Sequence, residues 1–211
     1  MTASSKFSTD QEAFWAGQFG NDYIGRNESE QLLASNLNFF SQALRRAGRV
    51  QSCIEFGANI GMNLRALRLL QPQMTQFGVE INETAAAQLG EFLGKERVYC
   101  GSIFDFPIPA PAQLSFIKGV LIHINPDKLA LTYQKLYDAS SQYVLVAEYY
   151  NPSPTAIPYR GHMDRLFKRD FAGEMLETYP DLKLVDYGFA YRRDPAYPQD
   201  DITWFLMEKK G

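Results

Sequence analysis

The chain has 211 residues, a formal net charge of −3 at pH 7 and 21% charged residues, and its length suits a single domain. Its basic residues are scattered, so nucleic acids and anionic membrane surfaces are not expected as partners. No apolar run reaches the roughly 18 residues of a membrane-spanning helix, and the first ten residues lack the apolar segment of a signal peptide. We therefore expect a cytoplasmic protein.

The N-terminal part of the chain predicts a helix, a loop and a second helix. Residues 9–12 have the composition of a helix N-cap and first turn, followed by Phe14 and Trp15. The segment FGNDYIGRN is rich in Gly and Asn, which predicts a loop. Residues 28–47 carry leucine and phenylalanine at helical spacing, which predicts a long helix.

Strands and helices then alternate along the chain. The first five predicted strands lie at 52–56, 76–81, 97–100, 114–118 and 142–148. The helices between them are predicted at 61–70, 83–93 and 126–139. Such alternation indicates an α/β fold, in which helices cover both faces of a parallel sheet.

The C-terminal third departs from this alternation. A proline-containing loop at 149–160 and a helical stretch that ends near residue 179 come first. Two strands at 182–192 and 202–209 follow, joined by a loop, which predicts an antiparallel hairpin. The expected fold is therefore a seven-stranded, mostly parallel sheet with an antiparallel C-terminal hairpin.

The two cysteines, Cys53 and Cys100, both fall in predicted strands. We expect two buried thiols that act as small hydrophobic residues. The cysteines and histidines form no cluster with the spacing of a zinc site, so no metal is expected.

The segment CIEFGANIGMNL at 53–64 combines an acid with a glycine-containing turn after a strand. Ligands of open α/β sheets bind at the carboxyl ends of the strands. Glu80 ends the next strand, in a position from which a carboxylate can accept both hydroxyls of a ribose. A dinucleotide fingerprint would need glycine at Asn59 and Met62, and Glu55 would repel a diphosphate. A cationic nucleoside is therefore favoured.

IEFGANIG and FGVEIN resemble the first two motifs of class I S-adenosylmethionine-dependent methyltransferases, with Asn59 in place of the middle glycine. Four more segments resemble the pseudaminic acid biosynthesis-associated methylases: FWAGQFGNDYIGRN, KGVLIHINPDKL, AEYYNPSPTAIPYRGHMDRLFKRDFAGEM and PQDDITWFLMEK. The match covers nearly the whole chain. It implies a Rossmann-like class I methyltransferase fold, a helical lid at 1–50, a methyltransferase domain at 51–211, and methylation in sugar biosynthesis.

The resemblance also implies S-adenosyl-L-methionine as the cofactor. Glu55 would organise the methionine ammonium group and Glu80 would bind the ribose hydroxyls. The loop and the later strand ends would supply the other contacts: Gly57, Ala58, Asn59, Gly61, Ile81, Ser102, Ile103, Lys118 and Gly119. Trp15, Tyr23 and Arg26 would close over the cofactor. As alternatives, Ser102 only forms a turn and Trp15 only packs in the core.

Methyl transfer to a hydroxyl or amine requires removal of a proton, and a positioned base assists this step. His123, after the fourth strand, is one candidate base, and Glu148, at the end of the fifth, is the other. A structural histidine that bonds to the backbone is the alternative for His123.

The loop after the fifth strand has side chains suited to a polar acceptor: Tyr149, Tyr150, Asn151, Tyr159, Arg160 and His162. Arg160 can bind a carboxylate or phosphate through two parallel bonds, or it pairs with Asp164 or Asp170. We expect a small-molecule acceptor, such as a nonulosonic sugar or its nucleotide-activated form.

Two other functions remain open. An NAD-dependent sugar oxidoreductase has the same fold, although the incomplete dinucleotide fingerprint disfavours it. A non-catalytic S-adenosylmethionine-binding partner protein is the second, and the elaborate second pocket disfavours it. Fold alone does not decide among these functions.

Overall fold

The computed structural model describes residues 7–25, 28–159, 161 and 165–210. Three predicted site residues, Arg26, Arg160 and His162, lie outside the described residues. The helices are α1 (Asp10–Ala16), α2 (Gln18–Ile24), α3 (Glu30–Ala43), α4 (Met62–Leu70), α5 (Glu83–Leu93), α6 (Leu129–Asp138) and α7 (Phe171–Thr178). Single 3₁₀ turns lie at Lys95–Arg97, Ile103–Asp105, Leu121–His123 and Pro126–Lys128.

The strands form one large sheet and one short ribbon. They are β1 (Ser52–Phe56), β2 (Thr75–Glu80), β3 (Val98–Cys100), β4 (Ala112–Lys118), β5 (Ser140–Glu148), β6 (Thr155–Ala156), β7 (Phe167–Lys168), β8 (Leu182–Ala190) and β9 (Ile202–Lys209). The sheet order is β3-β2-β1-β4-β5-β9-β8, and β6 pairs with β7. Strands β1 to β5 are parallel, whereas β9 is antiparallel to both β5 and β8. The predicted fold is confirmed.

Strand β1 lies at the centre of the sheet, between β2 and β4. The chain therefore leaves β1 in one direction towards β2 and β3 and reaches β4 and β5 on the other side. Such a reversal of strand order opens a crevice at the carboxyl ends of the strands. The turns that follow β1 and β4 meet at this crevice.

Alternating residues of the central strands pack on opposite faces of the sheet. Leu114 and Phe116 of β4 belong to the buried cluster that includes α3 and α4 residues, whereas Ile117 belongs to the cluster that includes α6 and α7 residues. Lys118 follows Leu114 and Phe116 at the same two-residue spacing, so its side chain lies on the α3 face of the sheet. Its contact with the Phe39 ring, 5.4 Å from the ammonium nitrogen, agrees with this placement.

The loop predicted for FGNDYIGRN is wrong, because Gln18–Ile24 forms helix α2. A Cβ at Gly20 would collide with the Trp15 carbonyl oxygen and lie 2.8 Å from Asn82 Nδ2. The glycine therefore allows α2 to pack closely and does not mark a flexible turn. The aromatic contacts of Phe19 with Phe14 and Trp15 outweigh the weak helix propensity of Gly and Asn.

Other boundaries differ from the predicted ones. Helix α3 is shorter than 28–47, and the helical stretch before residue 179 is confined to Phe171–Thr178, since β7 precedes it. Cys53 is buried as expected, but Cys100 is exposed, because β3 is an edge strand of the sheet. None of the helices in the described part of the chain has the length and apolar character needed to cross a membrane.

Candidate functional site

A cavity opens at the carboxyl edge of the sheet, where the strand order reverses. Its walls come from the turns after β1, β2, β3, β4 and β5, from helices α1 to α3, and from the segment before β9. The predicted cofactor residues that line it are Gly57, Ala58, Asn59, Glu80, Ile81, Ser102, Ile103, Lys118, Gly119, Trp15 and Tyr23. Glu55 and Gly61 lie just behind its wall.

The turn between β1 and α4 contains three residues with positive φ: Gly57 at 75°, Asn59 at 48° and Gly61 at 83°. A Cβ at Gly57 would lie 2.5 Å from a Val120 methyl carbon, so this glycine is needed for packing as well as for φ. Asn59 is among the few residues that tolerate the left-handed region. Asparagine can therefore occupy the position of the middle glycine without a different loop geometry.

Glu80 joins the end of β2 to this turn. Its Oε2 accepts a hydrogen bond from the Asn59 backbone N–H at 2.7 Å, and its Oε1 accepts one from the Asn82 N–H, also at 2.7 Å. Burial raises the pKa of Glu80, and these backbone bonds oppose that effect. Each oxygen still has a lone pair, so the carboxylate can accept further bonds from hydroxyl groups in the cavity.

Glu55 lies one layer deeper, at 1% exposure. Its Oε1 accepts a bond from Asn63 Nδ2 at 2.6 Å, whereas its buried Oε2 has no hydrogen-bond partner among the described residues. Burial raises the pKa of this carboxyl to about 8, although the Asn63 bond and the Lys118 charge favour its ionised form. Asn63, and not Glu55, forms the cavity surface here.

Ser102 connects helix α1 to the turn after β3. Its hydroxyl accepts a bond from the Phe104 N–H at 3.1 Å, which caps the following turn, and it also bonds to Glu12 of α1. Against the effect of burial, hydrogen bonds from Ser102, Ser8 and Thr9 hold the pKa of Glu12 below its usual value. The turn-forming role of Ser102 is thus present, and the residue still lines the cavity.

His123 lies in the turn after β4 and lines the cavity. Its Nδ1 is 2.6 Å from the Arg165 carbonyl oxygen. Since a carbonyl can only accept, Nδ1 carries the hydrogen and Nε2 keeps its lone pair. Burial lowers the pKa of His123 to about 4, so the ring is neutral near pH 7. The backbone bond of the structural alternative is present, and it leaves Nε2 able to accept a proton.

Glu148 ends β5, as the sequence predicts. It is 2% exposed and is not part of the cavity wall. Its Oε1 accepts bonds from the N–H groups of Val120 at 2.9 Å and Leu121 at 2.8 Å. Burial raises its pKa to about 7, and these bonds oppose the rise. These bonds hold the backbone of the turn that carries His123, and the Glu148 side chain, in contrast to that of His123, does not line the cavity.

Aromatic side chains of α1 and α2 cover the cavity beside His123. The Trp15 ring centroid lies 4.7 Å from that of His123 and 5.3 Å from that of Tyr23. The Trp15 Nε1 atom is buried without a hydrogen-bond partner in the described structure. Trp15 thus packs on neighbouring rings and also lines the cavity.

The loop after β5 contributes only part of what the sequence predicts. Tyr149 and Tyr159 line the cavity. Tyr150 is 41% exposed and packs near the Phe205 ring, outside the cavity, because successive residues leave an extended strand on opposite sides. Asn151 is used within the loop, where its Nδ2 donates to Ser153 O at 2.6 Å. Tyr150 and Asn151, which the sequence predicts as acceptor contacts, are thus not among the residues that line this cavity.

Several polar residues of the cavity wall were not predicted as site residues, among them Asn36, Gln199 and Asp200. Asn36 of α3 accepts bonds at Oδ1 from Gln199 Nε2 at 2.9 Å and from Lys118 Nζ at 3.5 Å. Gln199 and Asp200 come from the β8–β9 loop and also line the cavity. Asn36 and its neighbour Ser35 are the two polar residues among the buried residues of α3, and this interruption of an apolar face was the available signal. Within the described ranges, no group of three or more His, Cys, Asp and Glu side chains could hold a metal ion.

No protein-family model matches this chain, and no curated protein matches it at the level of sequence. The solved structures give clear matches. One is the 1,6-didemethyltoxoflavin-N1-methyltransferase of Burkholderia thailandensis with bound 1,6-didemethyltoxoflavin and S-adenosylhomocysteine: TM-score 0.73, 15% identity, 99% of this chain and 94% of that one.

Two further structures are similar over nearly the whole chain. The magnesium protoporphyrin IX methyltransferase of Synechocystis with bound S-adenosylmethionine has a TM-score of 0.67 at 9% identity, covering 98% of this chain and 100% of that one. An S-adenosylmethionine-dependent methyltransferase of Clostridium acetobutylicum has 0.63 at 10% identity, covering 92% and 98%. The pseudaminic acid-associated family stays a prediction. The chain thus has the fold of class I S-adenosylmethionine-dependent methyltransferases.

Proposed function

We propose that this protein is an S-adenosylmethionine-dependent methyltransferase that acts on a hydroxyl or amine of a small polar acceptor. The observation that carries the proposal is the pair of acids at the ends of β1 and β2. Glu55 and Glu80 flank a turn with positive φ at the edge where the strand order reverses. Two carboxylates at this place suit a cationic nucleoside better than a pyrophosphate.

The residues present fit the cofactor at several points. Glu80 has lone pairs for the ribose hydroxyls, and the buried Glu55 Oε2 has no protein partner within the described structure. Gly119 has φ of 68°, and a Cβ there would meet no described atom within 4 Å, so bare backbone faces the cavity. When bound, S-adenosylmethionine would supply a methyl group on a cationic sulfonium.

The acceptor would lie between His123 and the aromatic residues of the cavity. His123 Nε2 is the group we assign as proton acceptor, since Nδ1 is held by the Arg165 carbonyl. Tyr23, Tyr149 and Tyr159 offer hydroxyls and apolar ring faces, a combination that suits a sugar. The similar structures include an enzyme with bound 1,6-didemethyltoxoflavin, which is a small molecule. A nonulosonic sugar or its nucleotide-activated form is the acceptor class that the sequence resemblance supports.

A thermal-shift titration tests the cofactor assignment. S-adenosylhomocysteine should raise the melting temperature and NAD should not, since a ligand at a hundred times its dissociation constant stabilises by about 2.7 kcal/mol. Glu80→Ala should remove most of the shift, because the ribose hydroxyls lose their acceptor. Glu96→Ala is the matched control, since that glutamate is exposed and pairs only with Arg97 among the described residues. A larger shift with NAD, or none with S-adenosylhomocysteine, would overturn the proposal.

A further inference from the structure

The ammonium group of Lys118, a half-buried residue at the end of β4, has few hydrogen-bond partners. Its Nζ has one hydrogen bond within the described structure, to Asn36 Oδ1 at the long distance of 3.5 Å. No carboxylate of the described residues lies within 4 Å of it. An ammonium has three N–H donors, so this group has unused hydrogen-bonding capacity. Lys118 lines the cavity, and that capacity is therefore available to a ligand.

The acids around Lys118 compensate its charge from a distance. Burial lowers its pKa, whereas the charges of Glu55, Asp200 and Glu148 raise it. Glu55 is bonded to Asn63, and Glu148 is bonded to the amides of the turn after β4. These acids favour the protonated amine without forming an ion pair with it. A charge that is partly removed from water and has no paired partner is costly, and a ligand oxygen would lower that cost.

Two buried amide side chains fix the surroundings of Lys118. Asn36 Oδ1 also accepts the 2.9 Å bond from Gln199 Nε2. The β8–β9 loop that carries Gln199 is held against α3 by the bond from Gln31 Nε2 to the Ala196 carbonyl, at 2.9 Å. The lysine end of the cavity is thus built from three separate parts of the chain. This preorganisation is typical of a binding site.

We propose that Lys118, held by Asn36 and Gln199, binds a carboxylate group of a ligand at this end of the cavity. The proposal rests on the proposed function and deepens it. Two sources can supply the carboxylate: the amino-acid tail of the cofactor, or an acceptor that is a sugar acid. In both cases the carboxylate completes the hydrogen bonds of the ammonium group, and charge-assisted bonds of this kind are among the strong ones.

Calorimetric titrations of four proteins separate the two sources: the wild type, Lys118→Met, Lys118→Arg and the exposed control Lys183→Met. The first ligands are S-adenosylhomocysteine and 5′-methylthioadenosine, which lacks the amino-acid tail. The next are N-acetylneuraminate and its uncharged methyl ester, each titrated with and without S-adenosylhomocysteine. Thermal melting checks that each variant is folded, and Lys118→Gln replaces Lys118→Met should the latter not fold.

If the carboxylate belongs to the cofactor, Lys118→Met should weaken the binding of S-adenosylhomocysteine about tenfold or more and leave the binding of 5′-methylthioadenosine unchanged. If the carboxylate belongs to the acceptor, Lys118→Met should leave the affinity for S-adenosylhomocysteine unchanged. It should also abolish the preference of the wild type for N-acetylneuraminate over its methyl ester. Lys118→Arg should retain most of either effect. The proposal is overturned if Lys118→Met changes neither the difference in affinity between S-adenosylhomocysteine and 5′-methylthioadenosine nor that between N-acetylneuraminate and its ester. Failure of the wild type to bind S-adenosylhomocysteine would instead contradict the proposed function, and the acid and ester titrations without it then decide the role of Lys118.

Discussion

Glu55 shows how strongly burial controls the charge of a single residue in this cavity. Removal from water raises the pKa of its carboxyl from the ordinary 4.5 to about 8. The folded protein therefore keeps a proton here that the unfolded chain releases above about pH 4.5. The corresponding stabilisation is fully present below that pH and is lost as the pH rises through 8.

We predict that Glu55→Gln removes this contribution to the pH dependence of stability. The amide keeps an oxygen for Asn63 and has no charge to bury. The free energy of unfolding of the variant should match that of the wild type near pH 5 and should exceed it at pH 9 by a few kcal/mol. Each tenfold change in a protonation constant is worth about 1.4 kcal/mol. Urea unfolding at both pH values measures the difference. The exposed Glu177→Gln is the control, and a uniform loss of stability at every pH would contradict the prediction.

His123 gives a second test at this scale. Because burial lowers its pKa to about 4, the ring stays neutral from about pH 5 upwards and its protonation should cause no change in kcat near pH 6.5. His123→Ala should lower kcat by about 10²- to 10⁴-fold, the usual contribution of a positioned base. Its affinity for S-adenosylhomocysteine should be unchanged. An acceptor is first identified by mass spectrometry, which detects the added methyl group. Kinetics with that acceptor then give kcat, and full activity of the variant would exclude His123 as the base.

At the level of elements, the N-terminal helix pair is where propensity and packing disagree. The strands and helices from β1 to β5 could be predicted to within a few residues, because hydrophobic period and turn residues are local signals. Helix α2 could not, since Gly20 indicates a turn when it is considered alone. Its role appears only when α2 packs against α1 and Asn82. The same limit applies to Tyr150, whose outward direction depends on the exact end of β5.

Gly20 and Gly25 make a matched pair for testing this packing. A Cβ at Gly20 would collide with the Trp15 carbonyl oxygen, whereas a Cβ at Gly25 would meet no described atom within 4 Å. We predict that Gly20→Ala lowers the free energy of unfolding by about 1–3 kcal/mol through overpacking and weakens S-adenosylhomocysteine binding. Gly25→Ala should be neutral or slightly stabilising, since its φ of −63° suits alanine. Equal effects of the two variants in urea unfolding would contradict the packing argument.

For the molecule as a whole, the two ends of the cavity differ in how well sequence reveals them. The proposed cofactor end is made of short segments that directly follow strands, so motif spacing alone brings Glu55, Glu80 and Ser102 together. The other end joins residues far apart in the chain: Asn36 and Gln199 bond across 163 positions. Nothing local marks such a pair. Its detection required the order of the strands and the placement of the β8–β9 loop on α3.

The N-terminal helices are tied to the strand ends that face them across the cavity. Asn82 Nδ2 donates to Asn21 Oδ1 at 2.9 Å, and Asn125 Nδ2 donates to Gln11 Oε1 at 3.3 Å. Both hydrogen bonds connect the carboxyl edge of the sheet with α1 and α2, and a ligand in the cavity would lie between these two layers. Opening of α1 and α2 would then require release of the ligand, so the ligand should stabilise this region against local unfolding.

We therefore predict that S-adenosylhomocysteine slows amide hydrogen exchange in α1, α2 and residues 57–61 more than in α6 or α7. If opening of α1 and α2 releases the ligand, exchange in these helices should slow about a hundredfold at a ligand concentration of a hundred times the dissociation constant. Asn82→Ala should reduce the slowing of exchange in α1 and α2 and leave that of residues 57–61 largely intact. The substitution removes the hydrogen bond to Asn21 and does not change the loop at 57–61. Protection confined to residues 57–61 in the wild type would show that the helices do not close over the ligand.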